Sequence, residues 1–299
     1  MTLELQFGNK VNFDAAPTQG KHFGLMQASD AISLAIAVQS IPHLCSLSLT
    51  NSQMTDDLMR LFVNELKAKD KDKDKYNDGN SLTGIRDTLV ELDLSFNKLT
   101  TDGFRQILLY FLDGDDLIHD VDDDDKKIIG AEDSILSTFK VAGNKIRAEG
   151  ARTLGRILRT NASLEALDLR MNLLNDEGGQ LVMNGLQHNH TLKRLNMSCN
   201  LLSSLTAEGL CRVFEMSDDS STRSTNQLQH MDISSNEFKA SDLIMLSQAV
   251  EQTCKLTSLD LRGNVFKNSG SKKITTEDAL ESINNKLKSN ATHMKMQNR

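Results

Sequence analysis

The chain of 299 residues reads as an α/β solenoid of about seven repeats, with short parallel strands on a concave face and helices on a convex one. Three observations predict this. A signature of the form Leu-x-x-Leu-x-Leu-x-x-Asn-x-Leu stands at 164–174 as LEALDLRMNLL and restarts at Leu192 as LKRLNMSCNLL. Aligned on its turn residue, it recurs at Ser52, Asn97, Asn144, Asn172, Asn200, Asn236 and Asn264, with spacings of 45, 47, 28, 28, 36 and 28. The value 28 is the period, and the longer intervals carry insertions. Between signatures, apolar residues fall at helical spacing. Leu164, Leu167 and Leu169 point one way from a strand, Asn172 serves the backbone of the turn, and a helix over 176–188 covers the strand. One such unit cannot bury its apolar face alone, whereas a stack can.

The elements follow in order. Residues 1–43 are expected to form an N-terminal cap. In it, Leu3, Leu5 and Phe7 alternate as an edge strand that turns at Gly8-Asn9. A helix capped by Ser29 or Asp30 then runs to Gln39, with Ala31, Leu34, Ala35 and Val38 inward. Repeats occupy 44–270. Their first helix, 55–66, starts at Thr55 and buries Leu58, Leu61, Phe62 and Leu66. KAKDKDKDKYNDGNS at 67–81 has five lysines and four aspartates and almost nothing apolar, so an insertion spanning 67–85 reads as a disordered loop. The helix at 101–112 packs through Phe104, Ile107, Leu108 and Phe111. Further insertions are expected at 113–133 and 217–226. All three enter between a helix and the next strand, so they should leave one edge looped and the other tight. Glycines at 103, 150, 178 and 209 allow close approach of a helix start to its neighbour. The sixth repeat helix, 241–252, turns Leu243, Leu246 and Val250 inward. Residues 271–299 form a C-terminal cap: a helix over 275–289, with Ala279, Leu280, Ile283 and Leu287 inward, and a frayed tail.

The formal net charge is −7, and residues 113–133 alone carry ten acids against two lysines. The rest of the chain is close to neutral. No basic stripe speaks for nucleic acid. No segment reads as a signal peptide or a membrane span, so a soluble intracellular protein is expected. Cys45, Cys199, Cys211 and Cys254 lack metal-ligand spacing and read as reduced thiols. DVDDDDKKIIGA lacks the central glycine and terminal Glu of a calcium loop, and DEGGQ lacks the Lys-Ser/Thr of a nucleotide loop. His188 and His190 are read as polar loop residues. No cofactor and no metal are implied.

Outward strand positions should line the concave face in columns. The first is Ser48, Asp93, Lys140, Asp168, Asn196, Asp232 and Asp260. The second is Thr50, Ser95, Ala142, Arg170, Ser198, Ser234 and Arg262. A third flanks the turn as Asn51, Phe96, Gly143, Met171, Cys199, Ser235 and Gly263. Neighbouring strands lie about 4.8 Å apart, so Asp232 and Asp260 should sit close, with Arg262 and Arg170 nearby. An open face of alternating acids and arginines reads as protein-contact surface, not as a catalytic dyad. Phe96 and Met171 are the apolar contact candidates. Lys145, Arg147, Arg152, Arg156 and Arg159 form the most basic helical region and could meet an acidic surface such as a microtubule.

The period of 28, the Asn turn and the acid–Gly helix start resemble the ribonuclease-inhibitor class of leucine-rich repeats, whose arc is horseshoe-shaped and whose members bind proteins. Within that class ISLAIAVQSIPHLCSLSLTNSQMTDD, LVELDLSFNKLTTDG, LSTFKVAGNKIRAEGARTL and ALDLRMNLLNDEGGQ are similar to the leucine-rich subunit of the nexin–dynein regulatory complex, the t-complex-associated testis-expressed family. That resemblance covers about residues 22–205. It implies a non-enzymatic scaffold of the ciliary or flagellar axoneme, assembled with other subunits of that complex and with microtubule doublets, and supporting regulation of dynein-driven motility. The charged insertions lie outside the family's pattern. Two alternatives are a Ran-type GTPase-activating protein, which usually carries an acidic tail after its repeats, and a general cytosolic adaptor.

Overall fold

Each expected strand forms, and each is short because its signature offers only a few alternating positions before the turn residue. The computed structural model describes residues 4–6, 10–12, 26–75, 84–113, 134–215, 227–266 and 275–297. The acidic run and residues 217–226 lie outside these, as do 76–83, so the expectation of one looped edge is not addressed by them. Chain contacts divide the protein into two units, Met1–Lys145 and Ile146–Arg299.

In the first unit, β1 (Glu4–Gln6) pairs antiparallel with β2 (Lys10–Asn12), and β2 pairs parallel with β3 (Ser46–Ser48). The N-terminal cap is therefore a hairpin, and its second strand, not the Leu3–Phe7 segment, adjoins the first repeat. Parallel pairing continues from β3 through β4 (Glu91–Asp93) to β5 (Thr138–Lys140). The helices are α1 (Ala28–Gln39), α2 (Asp56–Lys75) and α3 (Thr101–Leu108). In α1 the four expected apolar residues are buried, but the capping partner differs. Asp30 lies inside the first turn and its carboxylate accepts the Gln27 N–H at 2.8 Å.

The helix of the first repeat does not stop at Leu66. It continues through Lys75, into the segment expected to be a loop, and a 3-10 turn at Ile85–Asp87 precedes β4. Two causes are visible. The Lys/Asp run sets opposite charges three residues apart, as in Lys67 and Asp70, which supports a helix. Asp70 is also held from outside, since the Tyr110 hydroxyl donates to its Oδ2 at 2.8 Å. Tyr110 is buried. That burial, then the Asp70 carboxylate, raises its pKa. The guanidinium of Arg86 stands 5.6 Å from the Tyr110 ring centroid. In α2, Met59 and Val63 are buried with Phe62 and Leu66, while Leu61 is only half-buried. After α3 the chain widens into a π turn at Leu109–Asp113, which keeps Tyr110 and Phe111 inside.

In the second unit, β6 (Ala166–Asp168), β7 (Arg194–Asn196), β8 (His230–Asp232) and β9 (Ser258–Asp260) pair parallel in sequence order. Between and around them run α4 (Ala148–Leu158), α5 (Asn175–Leu186), α6 (Ser204–Glu215), α7 (Ala240–Val250) and α8 (Thr276–Gln297). Glycines bring α4 and α5 into backbone contact: a Cβ on Gly155 would meet the Leu181 carbonyl oxygen, and one on Gly185 would meet that of Gly155. The expected frayed tail is a correction. Helix α8 runs on past Ser289 because the buried Asn290 donates through Nδ2 to Leu256 O at 2.8 Å and Thr253 O at 3.2 Å. Leu280 is half-buried, while Ala279, Ile283 and Leu287 are buried as expected.

The turn asparagines carry the expected role and extend it from one repeat to the next. Asn97 Oδ1 accepts the N–H groups of Ser52 and Met54, and its Nδ2 donates to Leu49 O and Leu94 O. Asn144 does the same for Leu99 N–H and the carbonyls of Leu94 and Val141. In the second unit Asn172 accepts from Ile146, Asn200 from Leu174, Asn236 from Asn200 and Leu202, and Asn264 from Asn236 and Phe238. Each amide thus satisfies buried groups of its own turn and of the preceding one. A second ladder escaped the sequence reading. Asn161 and Asn189, in loops TNAS and HNHT, accept N–H groups of Ser163 and Leu164, and of Thr191 and Leu192. Asn189 also donates to Leu158 O and Asn161 O in the repeat before. The shared pattern Asn-x-Ser/Thr-Leu just before a strand was the available signal.

Candidate protein-binding surfaces

The acid column is structural. Asp93, Asp168, Asn196, Asp232 and Asp260 each accept, at 2.9–3.0 Å, the N–H of the residue two further on, closing the strand end with an Asx turn. Asp232 and Asp260 do sit opposite each other on adjacent strands. Arg262 holds Asp260 through Nε at 3.0 Å and Nη2 at 2.5 Å, and those bonds lower the Asp260 pKa. Arg170 does not join that pair. It bonds Asp168 of its own repeat at 3.3 Å, because β7 stands between β6 and β8. These carboxylates are thus engaged by the strand ends, and Asp168 and Asp260 by arginines as well.

The column flanking the turn has a property that its residue types concealed. Asn51, Phe96, Gly143, Met171, Cys199, Ser235 and Gly263 all have φ between 52° and 74°. The turn needs a left-handed residue just before its Asn. Glycine and asparagine suit that at low cost, while bulky side chains do not. Phe96 is nonetheless 44% exposed. Its ring lies over Gly143, where a Cβ would overlap it. Met171 is 50% exposed. Of the basic region, Lys145 closes the first unit, where its N–H donates to Leu99 O at 2.8 Å. Arg152, Arg156 and Arg159 belong to the second and are exposed on one face of α4 and its end. Arg152 meets Glu177 at 3.3 Å, an exposed pair of small energetic weight.

Cys45, Cys199, Cys211 and Cys254 are free thiols. Burial, then nearby Glu215, pushes Cys211 up to about 12. Among the described residues no group of three His, Cys, Asp or Glu side chains could hold a metal ion, and no helix is long and apolar enough to cross a membrane.

A family model described as Leucine Rich repeat matches residues 88–106, 160–183, 188–211 and 252–274. Those segments coincide with signatures whose strands, Asn ladder and helices have just been described. The chain carries leucine-rich repeats over those segments. Among known relatives, NACHT, LRR and PYD domains-containing protein 13 of Homo sapiens is 25% identical over 246 residues, 78% of this chain and 21% of that protein. Protein 4E of the same description in Mus musculus is 26% identical over 177 residues, 59% of this chain and 15% of that one. The leucine-rich-repeat chain thus spans about a fifth or less of the length of the curated relatives it matches. Among solved structures, an internalin of Listeria monocytogenes aligns with 15% identity and a TM-score of 0.40, over 80% of this chain and 52% of that one. The actin-binding site 2 of leiomodin-1 aligns with 9% identity and a TM-score of 0.37, over 91% and 96%.

Proposed function

We propose that this chain is a non-catalytic protein-interaction module and a scaffold subunit of the ciliary or flagellar axoneme, of the leucine-rich type found in the nexin–dynein regulatory complex, and that it supports regulation of dynein-driven motility. What carries the reading is the resemblance of the segments from ISLAIAVQSIPHLCSLSLTNSQMTDD to ALDLRMNLLNDEGGQ to that subunit. Its partners are then other subunits of that complex and the doublet microtubules. Phe96 and Met171 are proposed as apolar anchors, since large exposed side chains at an interface centre carry a disproportionate share of binding energy. Within the second unit, Arg170, Asp232, Asp260 and Arg262 supply polar contacts. Lys145, Arg152 and Arg156 are the proposed contacts to acidic tubulin. Their exposure supports long-range attraction to such a surface.

The test is localisation of the tagged protein, followed by fractionation of isolated cilia. Retention on doublets after detergent and moderate salt is the expected outcome. A diffuse signal without a ciliary pool sinks the axonemal reading. Stimulation of GTP hydrolysis by a Ran-type GTPase would instead favour the activating-protein alternative.

A further inference from the structure

The rim that follows the strands in the second unit differs from that of the first. The position after each turn Asn is occupied by Lys98 and Lys145 in the first unit, but by Leu173 and Leu201 in successive repeats of the second. Both leucines are exposed, Leu201 at 49%, and they are joined by Leu205 at 42%, which stands in the first turn of α6, four residues on. The backbone brings the two turns together, since Asn175 N–H donates to Asn200 O at 3.0 Å. Met171 lies two residues before Leu173. The patch is doubly unfavourable for an isolated protein. It sets large apolar groups in water, and Met171 and Leu201 also adopt φ of 55° and 60°. Positions equivalent to Met171 are filled elsewhere by Gly143, Gly263 or Ser235, and the left-handed position equivalent to Leu201 is filled in the first repeat by Gln53, so the turn itself demands no apolar bulk at either place. Strain of this kind persists where something else uses the side chain. Exposed carboxylates flank the strip. Glu208 lies one turn along α6 from Leu205, and Glu237 takes the rim position next to Leu201 in the following repeat. No ion pair holds either among the described residues.

We infer that Met171, Leu173, Leu201 and Leu205, flanked by Glu208 and Glu237, form a docking strip for a partner protein segment that presents apolar side chains bordered by lysines or arginines. The inference rests on the reading of the chain as a binding module and not on its axonemal assignment. The apolar groups supply affinity, and the two carboxylates select the charge of the border and reject an acidic one.

The full chain has no tryptophan, so the fluorescence of a single Trp in a probe peptide reports binding cleanly. Two amphipathic helical peptides serve as probes, one of Leu and Lys and one of Leu and Glu, each with one Trp. The Leu/Lys peptide should bind at least about tenfold tighter, and Leu201→Asn with Leu205→Ser should weaken it by a similar factor without changing the protein's charge. Glu208→Lys with Glu237→Lys should reverse the preference. Leu201→Asn should also raise the thermal midpoint, because asparagine tolerates the left-handed backbone; this shows the variant is folded and that the wild-type residue is kept at a cost. Methyl NMR of the complex should move the Met171, Leu173, Leu201 and Leu205 signals. Equal binding of both peptides, or methyl shifts confined to other residues while the peptide binds, overturns the strip and leaves the binding-module reading standing. A concentration-dependent dimer of the chain that Leu201→Asn dissolves would assign the strip to a second copy and overturn the basic partner.

Discussion

The residue that decides most at each turn is the asparagine. Asn200 is fully buried, and its Nδ2 donates to Leu169 O, Met197 O and Ser198 O while Oδ1 accepts from Leu174 N–H. Removing it leaves buried carbonyls without a donor, at about 1–3 kcal/mol for each group that water cannot reach. Asn200→Ala should therefore lower the unfolding free energy by roughly 2–4 kcal/mol in urea titration. Asn200→Asp should cost more, because it replaces a donor by a negative oxygen facing carbonyls. A loss of under about 1 kcal/mol would mean that water fills the site. This role was legible beforehand, since a short amide donates from one atom and accepts at another and so can serve N–H and C=O groups of a turn together. The left-handed backbone one residue earlier was not legible, because Phe96, Met171 and Cys199 carry none of the usual marks of positive φ. Only Asn51, Gly143 and Gly263 hinted at it.

At the scale of the element, two helices, α3 and α6, begin on carboxylates borrowed from the preceding repeat. Asp56 of α2 accepts the N–H groups of Thr100 and Gly103 at the start of α3, and the Thr100 hydroxyl as well. Asp176 of α5 accepts from Ser203, Leu205 and Thr206 at the start of α6. Burial alone would raise the Asp176 pKa, but hydrogen bonds from the Ser203 hydroxyl and three backbone N–H groups outweigh it and hold it below the ordinary 3.8. A carboxylate whose folded pKa is depressed adds stability that is present above its unfolded value and is lost as pH falls through the folded one. Asp176→Asn should thus be less stable at neutral pH, by about 1–2 kcal/mol for a lost cap. The gap to the parent should close as pH drops below 3.8. A gap constant with pH would remove the carboxylate's charge from the account. The far end of α2 is set by Tyr110. Tyr110→Phe should speed amide exchange over residues 68–75 and leave α1 protected, whereas unchanged exchange would show that charge spacing alone holds that helix. Composition misled here: a run of lysine and aspartate has no apolar face to bury, and the contact that holds it comes from a tyrosine 40 residues later.

At the scale of the molecule, period and patterning were sufficient for the α/β repeat architecture, because each repeat's buried leucines answer only to adjacent repeats. The surface was less legible. Whether a leucine after the turn is covered or exposed depends on its neighbours' side chains, and nothing in the spacing of Leu173 and Leu201 distinguishes the two. Thiol chemistry offers a global check on burial. Cys199 and Cys254 are exposed, whereas Cys211 is buried and its thiol is pushed up to about 12. A thiol reagent at neutral pH should label the first two quickly and Cys211 only after denaturant is added. Rapid labelling of Cys211 in the native protein would indicate that α6 opens readily.

The borrowed caps bear on how such a chain can be inherited and rearranged. Asp56 and Asp176 are encoded in one repeat and used in the next. A crossover that cuts between repeats separates each acid from the helix it starts. The smallest segment that recombination can duplicate or exchange without loss is therefore a pair of neighbours, joined where one repeat's aspartate meets the next repeat's Thr100 or Ser203.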